Sequence, residues 1–412
     1  MATIDSILAK YTAAVGQDTK SKLLGASFVV VNKDGKFMSS TRLLQPTFPN
    51  WVTGLVYSGS AGRLGHDSDA RPWDVDTFTY TASMTKIITA TSILQIVERG
   101  QIQLDDDVRG LVPRLGQMQI LKGFDDDEKP ILEDHDTPIT LRMLLTHTIG
   151  LGYDLADAEL MRWHKAVGRT ALNLDWSLDG FTTPLKFKPG QGWHYGTAVD
   201  WAGQVLEKIT GRTIGEYMSE NVFGPLGMND SGFWPERLPQ TSDRTAEWAY
   251  RGEDKASLAP GAAPVKREHP VESGGAGLWT TARDYGKFLH ALLTNSLVSQ
   301  QTLDEMFRPQ LDGQQAAMLN KLASEWGAIA VEFSPEMELN HGLGGCINME
   351  DAPGKRKKGS MMWSGMCNSH WWMDRETGIA AALITQVLPH GDPVVTELYD
   401  ELERAVYREL VA

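Results

Sequence analysis

The sequence predicts an α/β (α+β) fold: an antiparallel sheet flanked by helices and built from the two ends of the chain, plus a mostly helical lobe from the middle. Three observations predict it. Strand-like runs fall near both ends, a β-branched one within Gly25–Gly35 and others at about 360–366, 369–374 and 379–387, with Arg375-Glu-Thr-Gly378 as a turn between the last two. Amphipathic helical patterns stand at both termini, over 4–15 and from Asp392-Pro393 onward. Between about 104 and 264 the pattern changes to short helices and long loops. The implied division is a sheet domain of residues 1–104 and 265–412 and a helical domain of 105–264, with the active site between them.

Taken in order, Gly25-Ala-Ser-Phe-Val-Val-Val-Asn-Lys-Asp-Gly35 reads as a strand ending in a hairpin signal, with a second strand from Lys36. Residues 45–75, rich in Pro, Gly, Ser and Asp, read as loop with short strands. A helix is expected over 83–99, where Ile87, Ala90, Ile93, Leu94 and Val97 recur at helical spacing as one buried stripe and Gly100 closes the run. Thr140 caps a short helix to His147, and Asp200–Ile209 forms another, closed by Gly211. Residues 235–270 are rich in Pro, Gly and charge and read as an extended surface loop. Gly274-Gly-Ala-Gly277 is a tight turn leading into a helix whose Thr281 and Asp284 have capping-box spacing. Arg375-Glu-Thr-Gly378 is a turn between strands, and Asp392 and Pro393 are the cap and first residue of the last helix.

The chain has 412 residues, 42% hydrophobic and 22% charged, which is ordinary for a globular protein with a sizeable core. Its formal net charge of -14 argues against nucleic acid or an anionic membrane as partner. Two cysteines, Cys346 and Cys367, make no disulfide framework. The N-terminus, interrupted by Asp5 and Lys10, does not read as a signal peptide, and no apolar run reaches the length of a membrane span. A cytoplasmic protein is the expectation. The acidic clusters Asp105–Asp107 and Asp125–Glu128 lack metal-loop spacing, so no metal is expected. No phosphate-binding glycine motif occurs, so no cofactor is expected.

The chemistry centres on Thr81-Ala-Ser-Met-Thr-Lys86, a Ser-x-x-Lys motif opening the 83–99 helix. Ser83 and Lys86 fall one turn apart on one face. A helix N-terminus favours developing negative charge at a nucleophile, and a buried amine one turn on is placed to take the hydroxyl proton. Such a match arises by chance about once in a chain of this size, so it carries weight only with further residues. Trp193-His-Tyr-Gly-Thr197 supplies Tyr195 as a proton relay. Gly359-Ser-Met-Met-Trp363-Ser-Gly365-Met366 supplies an edge strand whose Met366 N–H would converge with that of Ser83 on an acyl oxygen. Among thirteen tryptophans, Trp363, Trp371 and Trp372 stand beside that edge and suggest an aromatic-lined apolar pocket.

Ser83-x-x-Lys86, Tyr195-Gly-Thr197 and Trp363-Ser-Gly365, in that order, resemble the serine β-lactamase and penicillin-binding superfamily. The resemblance is to its class C-like branch, with the family VIII carboxylesterases, and covers roughly residues 20–405. Leu144-Leu-Thr-His-Thr-Ile-Gly-Leu151, Phe187-Lys-Pro-Gly190 and Val222–Met228 add to it, and Leu121–Asp126 with Ile139–Arg142 resembles fungal acyltransferases of the statin side-chain type. It implies a β-lactamase/transpeptidase-like fold, Ser83 as acylated nucleophile, and Lys86 and Tyr195 as its acid/base partners. The Ser83 and Met366 N–H groups would form the oxyanion hole. Thr197, Trp363, Ser364 and Gly365 would bind substrate, and His147 would be structural.

Two departures matter. Thr197 stands where the second motif usually ends in Asn, and Trp363 stands where the third usually has Lys. Exchanging a cation for indole removes an anion site and adds apolar surface, which favours an uncharged acyl donor over a β-lactam. Lys355-Arg-Lys-Lys358 lies upstream, either as a substitute cation or as a solvated loop. The resulting expectation is a serine acyltransferase of secondary metabolism. It takes a small-molecule ester or thioester donor, with an alcohol as acceptor. The alternatives are a carboxylesterase using water, a β-lactamase, and a non-catalytic binding protein. The oligomeric state is not legible.

Overall fold

The computed structural model describes residues 3–34, 54–326 and 329–411, so the strand expected from Lys36 lies outside the described residues. Strands β1 (Gly25–Asn32), β2 (Leu55–Gly62) and β3 (Thr79–Ala82) precede a hairpin of β4 (Ile120–Phe124) and β5 (Pro130–Glu133). Then come β6 (Ala249–Arg251), β7 (Leu258–Pro260) and β8 (Leu278–Thr280). The last part of the chain carries β9 (Leu339–His341), β10 (Cys346–Asn348), β11 (Met361–Ser364), β12 (His370–Asp374), β13 (Ile379–Ile384) and β14 (Val387–Leu388).

Seven of the described strands form one antiparallel sheet, ordered β2-β1-β13-β12-β11-β10-β9. The N-terminal strand β1 thus lies against β13, with Ser27 opposite Ile384 and Asn32 opposite Ile379. Its other neighbour is β2, inside the stretch expected to be mostly loop. Gly59 and Gly62 and three small residues leave β2 without the apolar run that marks a strand in sequence.

Successive residues of a strand face opposite sides of the sheet. Phe28 stacks on Trp372, whose ring meets Tyr399 of the C-terminal helix Pro393–Val406. Val29 faces the other way, towards Gly286 of the helix Ala282–Leu293. Helices therefore cover both faces, and β1 is buried along its whole length, which is why its sequence is continuously apolar. Through the register Val29–Ala382–Trp371–Trp363, Trp363 projects from the second face. A slip by one residue would send it to the first.

The helix Thr85–Glu98 is central. It is buried on nearly every side, not along one stripe. Thr89, Thr91 and Ser92 lie on what would have been its outer face, and burial is tolerated because each hydroxyl donates to a carbonyl: Gly274 O at 2.6 Å, Ile87 O at 2.8 Å and Ile88 O at 2.9 Å. It packs on the helix Ala198–Thr210, which Gly211 ends in the left-handed conformation at φ 68°. Asp392 caps the last helix by accepting from Val394 and Val395 N–H. The helix Ile4–Tyr11 stops short of residue 15.

Further stretches differ from expectation. The strand expected at the sheet edge, β11, lies inside the sheet between β12 and β10. Residues 249–260 carry the β6–β7 hairpin, and β6 pairs in parallel with β14; three-residue strands are too short to show a period. Lys355 and Arg356 are neither solvated nor near a substrate pocket. Arg356 is buried with Glu403, donating to it at 2.7 and 2.8 Å, and Lys355 pairs with Asp400 at 2.5 Å. The acidic clusters are used in turns and ion pairs: Asp105 holds Arg142, and Asp107 holds Arg109.

Candidate active site

Ser83 lies in the turn joining β3 to the helix Thr85–Glu98, and Lys86 lies in the first helical turn. The turn is tight. Ala82 has φ 47°, a left-handed conformation that an L-residue adopts at some energetic expense. Thr85 Oγ1 donates to Ala82 O at 2.5 Å and accepts from Leu278 N at 3.0 Å, and Thr81 Oγ1 donates to Leu278 O at 3.0 Å. These bonds tie the strained residue to β8 and aim the Ser83 hydroxyl outward.

Lys86 is 2% exposed. Its Nζ donates to Ser83 Oγ at 3.0 Å, to Tyr153 OH at 3.1 Å and to Gly275 O at 2.8 Å, which uses all three ammonium hydrogens. Tyr195 OH donates to Ser83 Oγ at 2.7 Å, and Trp363 Nε1 donates to Tyr195 OH at 3.2 Å. Ser83 Oγ thus meets both an amine and a phenol, either of which takes its proton when deprotonated. The Tyr195 ring is held by neighbours: Trp363 at 5.0 Å, Tyr153 at 5.3 Å and His147 at 4.9 Å between centroids. Lys86 Nζ lies over it at 4.8 Å.

Burial dominates the electrostatics of the surroundings. Burial, with Tyr195 and Asp200 nearby, pushes the Tyr153 phenol well up. Burial, with His341, Lys86 and His194 nearby, pushes the His147 imidazole well down. Burial lowers His341 to about 4, with its bond to Gly342 O opposing and Lys86 adding. Asp200 is buried too. Burial raises its carboxyl, while Lys86, the Ser273 hydroxyl and the Gly275 N–H work against that. Asp200 therefore holds the turn whose Gly275 carbonyl receives Lys86. A Cβ on Gly275 would lie 2.5 Å from Asp200 Oδ2, so any side chain there would displace the carboxylate that holds the turn.

At the end of β11, a Cβ on Gly365 would lie 2.2 Å from Thr81 O. Only glycine lets the strand approach the residues leading into Ser83 this closely. Gly365 N–H donates to Ser369 O at 2.8 Å and Asn368 N–H to Gly365 O at 2.9 Å, and among the described residues the Ser83 and Met366 N–H groups meet no backbone acceptor. Above them is a cavity of about 340 Å³. Leu155, Leu174, Ile329, Met362, Trp363 and Met366 give it an apolar wall.

Ser83, Tyr195, Trp363, Ser364, Gly365 and Met366 all line this cavity, and Lys86 sits behind Ser83. Thr197 does not reach it. It is fully buried at the start of the helix Ala198–Thr210, and its hydroxyl donates to Phe181 O at 3.0 Å, so it has no atom to offer a substrate. Trp371 and Trp372 are core residues off the cavity wall. His147 packs on Tyr195 and has no bond to Ser83 among the described contacts. Sequence reasoning passed over Tyr153, Asp200 and His390, which lines the cavity beside Ser364. Tyr153 stands two residues after the Leu144–Leu151 run, but nothing in its spacing marks it as a lysine partner.

A Ser-x-x-Lys pair with the lysine buried and the serine open to a cavity, bonded to a motif tyrosine, is an arrangement suited to acyl transfer through a serine. The chain belongs to the β-lactamase family, which it matches over residues 11–405. It is 33% identical over 368 residues to the lovastatin esterase of Penicillium rubens, covering 87% of this chain and 92% of that protein. To the monacolin J acid methylbutanoyltransferase of Aspergillus terreus it is 34% identical over 346 residues, covering 82% and 84%. A solved structure of the simvastatin synthase LovD of Aspergillus terreus, the LovD6 mutant, superposes with a TM-score of 0.81 at 30% identity, over 94% of this chain and 91% of that one. Esterases and acyltransferases thus share this chain's fold and family. Among the described residues no helix is long and apolar enough to cross a membrane.

Proposed function

We propose that this protein is a serine acyltransferase working through an acyl-Ser83 intermediate. It moves an apolar acyl group from an ester or thioester donor to an alcohol in secondary-metabolite biosynthesis. The observation that carries the reading is the contact of Ser83 Oγ with Lys86 Nζ and Tyr195 OH, at 3.0 and 2.7 Å, beneath an apolar cavity. Ser83 Oγ attacks the donor carbonyl and its proton passes to Lys86 or Tyr195. The oxyanion is received by the Ser83 and Met366 N–H groups, beside the close approach that Gly365 permits. Collapse breaks the bond to the leaving alkoxide or thiolate, which takes the proton from the same pair. The acceptor alcohol then gives its proton to that pair and attacks the acyl carbonyl; the bond to Ser83 Oγ breaks and Oγ takes the proton back from the pair. Trp363 Nε1 steadies the Tyr195 oxygen at 3.2 Å and its ring, with Ser364 and Gly365, lines the donor's path.

A carboxylesterase is the second reading, because the same groups activate water and one similar protein is a lovastatin esterase. A β-lactamase is disfavoured by Trp363 in the cation's place, since Lys355 and Arg356 are spent on Asp400 and Glu403. A cytoplasmic location is part of the proposal. Cys346 and Cys367 are buried free thiols, suited to a reducing compartment.

Intact-protein mass spectrometry after incubation with p-nitrophenyl butyrate, and separately with a butyryl thioester, tests the reading. Wild type is expected to gain one butyryl group and Ser83→Ala none. Faster decay of the adduct on adding alcohol identifies a transferase, and decay unchanged by alcohol identifies the esterase. Turnover by Ser83→Ala at the wild-type rate would remove the serine mechanism.

A further inference from the structure

Lys86 Nζ has three acceptors. Ser83 Oγ and Tyr153 OH belong to residues that line the cavity, and the third is the Gly275 carbonyl, at 2.8 Å. That carbonyl is not an isolated backbone group. It shares a planar peptide unit with the Ala276 N–H, which donates to Ser273 Oγ at 2.9 Å and, less closely, to Ser273 O at 3.3 Å. The Ser273 hydroxyl in turn donates to Asp200 Oδ1. A chain of three hydrogen bonds therefore runs from the lysine amine, through one peptide and one hydroxyl, to a carboxyl group.

The chain is shut away from water and pinned from separate elements. Lys86, Ser273 and Asp200 are all buried. Asp200 stands in the first turn of the helix Ala198–Thr210, and its Oδ1 also accepts the Gly275 N–H at 3.0 Å. Thr89, on the helix that carries Lys86, donates to Gly274 O at 2.6 Å. In a dry setting each bond polarises the next. The carboxylate draws on the Ser273 hydroxyl, whose oxygen then accepts more strongly from Ala276 N–H. The peptide responds by placing more negative charge on the Gly275 oxygen that Lys86 touches. Tyr195, Tyr153, His147 and His341 also face Lys86, from the loops before and after it in the lobe and from β9. Burial pushes both imidazoles down and the Tyr153 phenol up, so none of those three supplies a charge near neutral pH.

We propose that Asp200 is a positioning residue for the Lys86 amine, acting through Ser273 and the 275–276 peptide as its remote counter-charge. This rests on the acyl-Ser83 reading. The amine must stay aimed at Ser83 Oγ while it gains and loses a proton, and the polarised carbonyl gives it a fixed anchor in both states. Asp200 and Ser273 are not among the residues lining the cavity, so they act through Lys86 and not on substrate. Bond making and breaking stay with Ser83, Lys86 and Tyr195. A negative charge at the far end of the chain favours the protonated amine. Without it the reacting centre takes up its proton at lower pH, and the Tyr153 phenol, which Asp200 pushes up, moves the same way.

The test follows formation of the butyryl adduct from p-nitrophenyl butyrate by rapid-quench mass spectrometry, across the acid limb of the pH profile of the full-length enzyme. Asp200→Asn keeps an oxygen for Ser273 and Gly275 but removes the charge. Ser273→Ala keeps the carboxyl but cuts the chain. Each is expected to move the midpoint of the acid limb down by about one pH unit. Ser273→Thr restores the hydroxyl and should keep the wild-type midpoint. Should one of the first two variants fail to fold, the midpoint of the other against Ser273→Thr decides. A slower plateau with an unmoved midpoint is the mark of packing alone and overturns the inference while leaving acyl-Ser83 intact. So does a shift in Asp200→Asn that Ser273→Ala does not share, which would be a field through space and not a relay. An upward shift, a Ser273→Thr midpoint that follows Ser273→Ala, or a wild-type profile without an acid limb overturns it as well. Failure of wild type to form a butyryl adduct overturns the underlying reading and this inference with it.

Discussion

Replacing Gly365 by alanine is the sharpest probe of how the backbone builds this site. The new Cβ would lie 2.2 Å from Thr81 O and 3.5 Å from Ala82 Cβ. Carbon and oxygen in ordinary contact stand about 3.4 Å apart, so the end of β11 must withdraw from the Ser83 turn by about 1 Å. The neighbouring strand and the Gly365–Ser369 turn resist, because Ser364 is in register with His370 and Gly365 N–H is bonded to Ser369 O. Such overpacking destabilises by about 1–3 kcal/mol. The larger effect is on rate. Moving the Met366 N–H about 1 Å from the acyl oxygen weakens one of the two proposed oxyanion donors, which on that proposal lowers the acylation rate by about 100-fold, or about 2.7 kcal/mol of barrier. Stopped-flow release of p-nitrophenol under single-turnover conditions gives that rate, and urea unfolding gives the stability. Acylation within threefold of wild type by a variant that folds normally would refute the assignment of the oxyanion hole to this strand end.

Two further predictions concern the proton network and its buried surroundings. Lys86→Met removes the donor shared by Ser83, Tyr153 and Gly275, so acylation read by mass spectrometry should fall by about 10²–10⁴-fold. The Gly275 carbonyl left without its partner costs about 1–3 kcal/mol of stability, visible as a lowered melting midpoint. His341 has its folded pKa at about 4, below the usual 6.5, mainly through burial, so the unfolded chain takes up its proton first. Its contribution to stability is complete above about pH 6.5 and is lost as the pH falls towards about 4. His341→Asn should flatten the slope of unfolding free energy against pH across that window, and an unchanged slope would place the titration elsewhere.

Much of the architecture is legible in the chain because it is encoded by neighbours. The helix after Ser83, the cap at Asp392, the left-handed stop at Gly211 and the strands after residue 360 each depend on residues within a turn or two. The Ser83–Lys86 spacing is likewise a property of one helix, and the order of the three motifs identifies the family before any contact is known. The same local signals misread places where partners are remote. The Thr85–Glu98 helix looked one-sided until Gly274 and the surrounding elements closed over its hydroxyl-bearing face.

What only the tertiary structure decided are the pairings made across long separations. β1 meets β13 more than three hundred residues away, and β2 forms from small residues because a neighbour offers it hydrogen bonds. Thr197 occupies a motif position yet spends its hydroxyl on Phe181, while Tyr153, outside every motif, accepts from Lys86. Lys355 and Arg356 read as free cations but are consumed by acids from the last helix. A side chain's type and local spacing are written in the sequence. Which partner satisfies a buried polar group is settled by the packing that excludes water from it, and that depends on the whole fold at once.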